Sequence, residues 1–323
     1  MQERLRSYQA IIYRFYPNSA FPHLPKDIYK DKLILGLFHM EDLMKPDEFL
    51  LQTLHGEKII GFEWKADKKS KATIALIHGL GEHSGRYQHV AEFYNQAGFN
   101  VAAVDLYGHG KSGGKRGALP KKDTYLKCID SLLEYIQNNN LKSPIILRGH
   151  SLGGELVLWY ALERKPEIKG VISTSPFLAS YEPLPPLKLT LARVMNSLLP
   201  SLSMDNGIDV HLLSRDPKIV EKYTRDPLVH KLLSARLGWT MVEQGQWILQ
   251  HAKEFSVPLL LMVGGDEKIV NLSKIEEFAR QVPKVDLKVW QNLFHETHNE
   301  PEKEMVLGYE LKWVKNLLKN DFA

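Results

Sequence analysis

The 323-residue sequence predicts an α/β protein with a mostly parallel central sheet flanked by helices and a helical cap inserted between the late strands. Three observations predict it. From about residue 47, short β-rich runs alternate with helical patterns, the succession that a parallel sheet with crossover helices requires. Most of those runs lack apolar–polar alternation, as strands covered on both faces do. One stretch of about 80 residues, between the runs near 175 and 258, contains no convincing strand. A structureless loop of that length is improbable in a compact domain, so a helical insertion is the economical reading.

In order, the strands are expected at 59–64, 73–78, 100–105, 144–148, 170–175, 258–264 and 286–290. Helical patterns fall at 86–97, 123–138, 153–164, 273–281 and 302–319, and the insertion carries a further one, apolar at helical spacing, over 187–199. Residues 1–45 mix aromatic and basic side chains with Pro17, Pro22 and Pro25, which break any long helix. They read as an N-terminal extension with one short amphipathic helix near 3–15. The expected organisation is therefore an extension (1–45), a core (46–175 and 241–323) and a cap or lid (176–240).

Composition narrows the class. With 44% hydrophobic and 25% charged residues, the chain is ordinary globular protein and not a disordered or fibrous one. A net charge of +4 is too mild to predict nucleic-acid binding. The single cysteine, Cys128, excludes internal disulfides and fits a reducing compartment. No apolar run approaches the roughly 18 residues needed to span a bilayer, and Met1-Gln-Glu-Arg-Leu-Arg leads into no apolar signal region. A soluble cytoplasmic protein is expected.

The strongest chemical signal is Gly149-His-Ser151-Leu152-Gly153, a G-x-S-x-G segment between a strand and a helix. A serine there stands on a sharp turn that only small neighbours permit, beside a helix N-terminus that favours developing negative charge. A hydroxyl needs a base held by a third group, and in this architecture the acid and then the histidine follow later strands. Among thirteen histidines, His295 sits a few residues past the last strand, which makes it the candidate base. His295 and His298 are three residues apart, not four, so the zinc-protease spacing fails. The acid is Asp266 or Glu267, after the run ending at Gly264; adjacent residues on an extended chain point to opposite sides, and spacing does not choose between them. The oxyanion donors are expected from the backbone N–H of Leu152 and of Leu80, in His78-Gly-Leu-Gly81. Two other glycine-rich segments are decoys. Gly79–Ser84 nearly matches a dinucleotide fingerprint but has Ser84 at its third glycine position, and Gly110-Lys-Ser112 lacks the earlier glycine of a phosphate loop.

With these residues in hand, the chain resembles the α/β-hydrolase superfamily and, within it, the monoacylglycerol lipase (lysophospholipase-like) family. The resemblance covers roughly residues 47–318. It is carried by His78-Gly-Leu-Gly-Glu-His-Ser-Gly-Arg-Tyr87, Asp105-Leu-Tyr-Gly-His-Gly-Lys-Ser112, Gly149-His-Ser-Leu-Gly-Gly154 and Phe294-His-Glu-Thr-His-Asn-Glu-Pro301. Leu213-Ser-Arg-Asp-Pro and Tyr223-Thr-Arg-Asp-Pro-Leu228 add to it. It implies Ser151 as nucleophile, His295 as base, and the amides of Leu80 and Leu152 as oxyanion hole. It further implies head-group contacts from Glu82, Arg86, His298 and the cap residue Tyr223; a structural ion pair is the alternative for Glu82 and Arg86. Such a family usually has aspartate three residues after the strand-end glycine. That position is Glu267 here, with Asp266 just before it as the alternative.

The expected activity is cleavage of a monoacylglycerol ester to fatty acid and glycerol, with a lysophospholipase or broad carboxylesterase as the alternative and a peptidase more distant. The partner is a small lipid ester, no metal or cofactor is required, and the leucine-rich cap, with Lys188 and Arg193, is expected to make peripheral membrane contact.

Overall fold

The computed structural model describes residues 45–66, 70–139 and 144–319. The expected helix near 3–15 and nearly all of the extension lie outside these residues.

Along the chain, β1 (Asp47–Leu54) and β2 (Glu57–Trp64) form an antiparallel hairpin, followed by β3 (Thr73–Ile77), α1 (Gln88–Gln96), β4 (Asn100–Val104) and α2 (Thr124–Asn138). Next come β5 (Ile145–His150), α3 (Leu152–Arg164) and β6 (Gly170–Thr174). The strand order is β1-β2-β4-β3-β5-β6 and then, after the insertion, β9 (Leu259–Gly264) and β10 (Val285–Trp290). From β4 onward every pairing in this sheet is parallel, while β2 joins β4 antiparallel. Helices α7 (Leu272–Ala279) and α8 (Lys303–Lys319) complete the core.

Alternate residues of each central strand feed different layers, as a period of two dictates. Ala75 and Ile77 of β3 and Leu259, Leu261 and Val263 of β9 pack with α2, α3 and α7. Ile74 and Leu76, with Leu260 and Met262, pack on the other face with α1 and α8. Both faces being apolar, the runs show no alternation in sequence.

The insertion holds α4 (Pro186–Leu198) and α5 (Pro217–Arg225), and it also holds two short strands, β7 (Ser203–Asp205) and β8 (Leu232–Ser234), where none was expected. Three residues each are too few to carry a periodic signal. The next helix, α6 (Ala235–Gln250), runs unbroken across residue 240, where the cap was expected to end, because it packs along α3. Strand β1 was also absent from the sequence expectation. It is an edge strand with an irregularity between Leu50 and Gln52, which breaks its alternation. Helix α4 has helical apolar spacing but no buried residue: Leu187, Leu191 and Leu198 are 80%, 58% and 71% exposed.

Candidate active site

The central strands end along one edge of the sheet, and the candidate residues follow those ends: His78 after β3, Ser151 after β5, Glu267 after β9 and His295 after β10. Crevices at the carboxyl ends of parallel strands are where open α/β sheets bind ligands.

Ser151 connects β5 to α3 with φ 54°, ψ −115°, a left-handed conformation disfavoured for any residue but glycine. The surrounding glycines make this turn feasible. A Cβ on Gly149 would strike the backbone of Gly153, and one on Gly153 would strike the Ile77 and His78 carbonyls. The turn is fixed by the Ser151 N–H donating to Thr174 O at 2.9 Å and the Glu155 N–H donating to Ser151 O at 2.9 Å. Ser151 is partly exposed, and its hydroxyl makes no hydrogen bond among the described residues.

His295 Nδ1 lies 2.8 Å from Glu267 Oε2, both side chains being buried. Glu267 Oε1 accepts from the N–H groups of Ile269 at 2.7 Å and Val270 at 3.2 Å. Burial pushes the Glu267 carboxyl up, but His295 and those two amides outweigh it and hold it below the ordinary value. Burial likewise lowers His295, yet the Glu267 charge and hydrogen bond raise it above the usual imidazole value. Of the two adjacent candidate acids, Glu267 is the one joined to this histidine. The His295 ring also lies 4.8 Å from that of His150, the residue before Ser151, tilted at 58° to it.

The His78–Gly81 loop closes on the other side of Ser151. A Cβ at Gly79 would meet Ser151 Cβ at 3.4 Å and Glu82 Oε1 at 2.7 Å, so any larger residue there would displace the Glu82 carboxylate. His78 is clamped: the Leu106 N–H donates to its Nε2 at 3.0 Å, which leaves Nδ1–H to donate to Gly79 O at 2.8 Å. Burial keeps this imidazole neutral. Among the described residues, the backbone N–H groups of Leu80 and Leu152 donate to nothing. Asp105, the acid that a dinucleotide reading would need free, accepts from the amides of Ser84 at 2.8 Å and Lys111 at 2.7 Å.

Glu82, Arg86 and Tyr223 come together, while His298 lies one residue behind them. Arg86 donates to Glu82, and Tyr223 covers the guanidinium at 4.6 Å. Glu82 also accepts from Tyr87 OH at 2.7 Å and Gly79 N–H at 2.6 Å. The His298 ring stacks 4.9 Å from that of Tyr87; it is buried, neither nitrogen has a partner, and burial holds it neutral. Sequence reasoning gave no role to Glu296, which pairs with Arg86 through two bonds of 2.7 Å. The only hint was its place between the two histidines. Glu155, one turn into α3, was also missed: both carboxylate oxygens are buried without a partner, and burial raises its pKa well above the ordinary value. Among the described residues no cluster of His, Cys, Asp or Glu is arranged to hold a metal ion.

A family model described as serine aminopeptidase, S33, matches residues 68–302. The chain is 37% identical over 80% of its length to an abhydrolase domain-containing protein of Dictyostelium discoideum, itself uncharacterized, of which it spans only 28%. It is 32% identical to a monoacylglycerol lipase of Mycolicibacterium smegmatis, over 80% of this chain and 93% of that one. The crystal structure of a monoacylglycerol lipase from Paleococcus ferrophilus superimposes with a TM-score of 0.73 at 34% identity, covering 81% of this chain and 98% of that one.

Proposed function

The chain belongs to the serine aminopeptidase S33 family of α/β-hydrolases, and on that premise we propose that it is a serine esterase that cleaves monoacylglycerol to fatty acid and glycerol. The observation that carries the reading is the convergence of the Ser151 turn, the buried His295–Glu267 pair and two unengaged amides at one sheet edge. In this mechanism His295 takes the proton of Ser151 Oγ as the oxygen attacks the ester carbonyl. The N–H groups of Leu80 and Leu152 receive the developing oxyanion. His295 then protonates the departing glycerol oxygen, and water releases the fatty acid from the acyl-serine by the same route. Glu267 fixes the histidine tautomer, since its hydrogen bond places a proton on Nδ1 and leaves Nε2 to act as base. Removing one oxyanion donor typically costs about 10²–10³ in rate, which is why the bare amides support the reading.

Glu82, Arg86, His298 and Tyr223 form the head-group side. The two free hydroxyls of a monoglyceride need buried partners, and esters that lack them leave those partners unpaired. The exposed leucines of α4 supply a surface for lipid contact. Among the described residues no helix is long and apolar enough to cross a membrane. Replacing Leu191 and Leu198 with Ser lowers liposome binding if the cap docks there, and unchanged binding removes that part of the proposal.

A fluorophosphonate probe tests the catalytic core. The wild type labels covalently and Ser151→Ala does not; equal labelling of both, or of neither, contradicts a nucleophilic Ser151.

A further inference from the structure

Resting on the esterase reading above, we propose that Glu296 is a specificity-determining residue of the head pocket, which turns away anionic heads such as glycerol phosphates and admits an uncharged polyol. The argument begins with donors. A guanidinium recognises phosphate or carboxylate through a planar fork of N–H groups. In Arg86 the Nη1–Nη2 end of that fork is closed, because Nη1 and Nη2 each donate to Glu296 at 2.7 Å and Nη1 donates also to Glu82. Its flat face lies under Tyr223. A phosphate arriving at the pocket finds the Nη1–Nη2 end of its natural partner already taken by Glu296, Nη1 shared with Glu82, and one face covered.

Charge points the same way. Two carboxylates, Glu82 and Glu296, oppose one guanidinium, so the cluster carries a formal surplus of one negative charge. Burial opposes ionisation of Glu296, but Arg86 overcomes it and holds its pKa at about 2. Asn299 Nδ2 pins the same carboxylate at 2.7 Å. Glu82, Arg86 and Glu296 are nearly shut off from solvent, so water and salt screen the surplus poorly. Glu296 follows His295 in the chain, and only Gly79 separates Glu82 from Ser151, so the surplus lies beside the reacting atoms. Polyol hydroxyls donate to carboxylate oxygens, whereas an anion is repelled by them. Without Glu296, Glu82 alone would balance Arg86, and the fork would open toward the pocket.

The test compares three oleoyl esters: 1-oleoylglycerol, its 3-phosphate and methyl oleate, which has no polyol head and reads the triad alone. The wild type is expected to favour the neutral glyceride over the phosphate. Glu296→Gln is expected to narrow that ratio of kcat/KM by at least about tenfold, as relief of a like-charge contact implies. Glu82→Gln removes one negative charge independently and narrows the ratio as well, which keeps the test valid if one variant fails to fold. A ratio that stays within about twofold in a folded variant that still cleaves methyl oleate overturns the inference, because a structural ion pair would not sort head groups by charge. No variant is needed for the second readout: glycerol inhibits the wild type by competition and glycerol 3-phosphate does not. Equal inhibition by both overturns the inference while leaving the esterase reading intact. Absence of methyl oleate and glyceride hydrolysis by the wild type overturns that reading and this inference with it.

Discussion

Two groups of buried carboxylates lie close to Ser151, and they are handled in opposite ways. In the first group, Glu82, Glu267 and Glu296 each accept hydrogen bonds from a cation, an imidazole or backbone amides. In the other, Glu155 of α3 lines a small pocket with Tyr125 of α2 and Thr240 and Gln244 of α6, and neither its oxygens nor Tyr125 OH has a partner. Residues of the same type, buried within a few turns of one serine, are thus shifted in opposite directions: Glu267 and Glu296 below the ordinary carboxylate value, Glu155 well above it. What decides is the supply of donors, not depth: a buried charge persists where partners surround it, and the group takes its neutral form where they do not.

The difference can be broken most severely at Glu267. Glu267→Gln keeps the shape but loses the charge that orients His295, and kcat is expected to fall by about 10³–10⁴. Asp266→Asn, one residue away, should cost less than about tenfold because Asp266 has no bond to His295. Steady-state kinetics on a soluble ester separates the two, and a larger loss at Asp266 contradicts the assignment. Next in size is Arg86→Met, which leaves Glu82 and Glu296 buried without their cation. Thermal or urea unfolding should show a loss of about 3–5 kcal/mol; a loss below 1 kcal/mol would mean the cluster is more hydrated than its burial indicates.

Glu155 predicts the opposite sign. Glu155→Leu removes an unsatisfied polar group from a helix seam, so the variant should gain about 1–3 kcal/mol at neutral pH with methyl oleate turnover retained. A destabilised variant would show that Glu155 has partners in solution.

The finest comparison is pH dependence. Glu155 has a folded pKa above its unfolded value of about 4.3, so its contribution is fully present below that pH and is lost as pH rises toward the folded value. Glu296, at about 2 when folded, contributes stability above about pH 4.3 that is lost as pH falls toward 2. Relative to the wild type, Glu155→Gln should therefore gain stability as pH rises from 4, whereas Glu296→Gln should gain as pH falls below 4. Parallel unfolding curves for the two variants would refute the contrast.

Much of the fold was legible because central strands and helices each carry a strong periodic signal. The turn at Ser151 reads directly from Gly149, Gly153 and Gly154, whose missing side chains are what let α3 approach β5, β3 and β6. Strands β1, β7 and β8 escaped because bulges and three-residue lengths erase periodicity. In the site, the choice between Asp266 and Glu267 is invisible in composition. The amides of Ile269 and Val270 make it, by curling over one carboxylate and not the other. Glu296 and Arg86 are 210 residues apart, so their pairing exists only in the folded chain. Glu155 sits beside Leu152, Leu156 and Trp159 on α3, and a lone carboxylate on such a face reads as solvent-exposed until the opposing helix is in place.

The most direct test of the account is fatty-acid release by the purified protein from 1-oleoylglycerol and from oleoyl lysophosphatidylcholine, with Ser151→Ala as control. The account predicts rapid release from the monoglyceride, slower release from the lysolipid, and none from either with the variant. Faster release from the lysolipid would keep the triad and remove the head pocket's role, and release that survives Ser151→Ala would contradict the account at its centre.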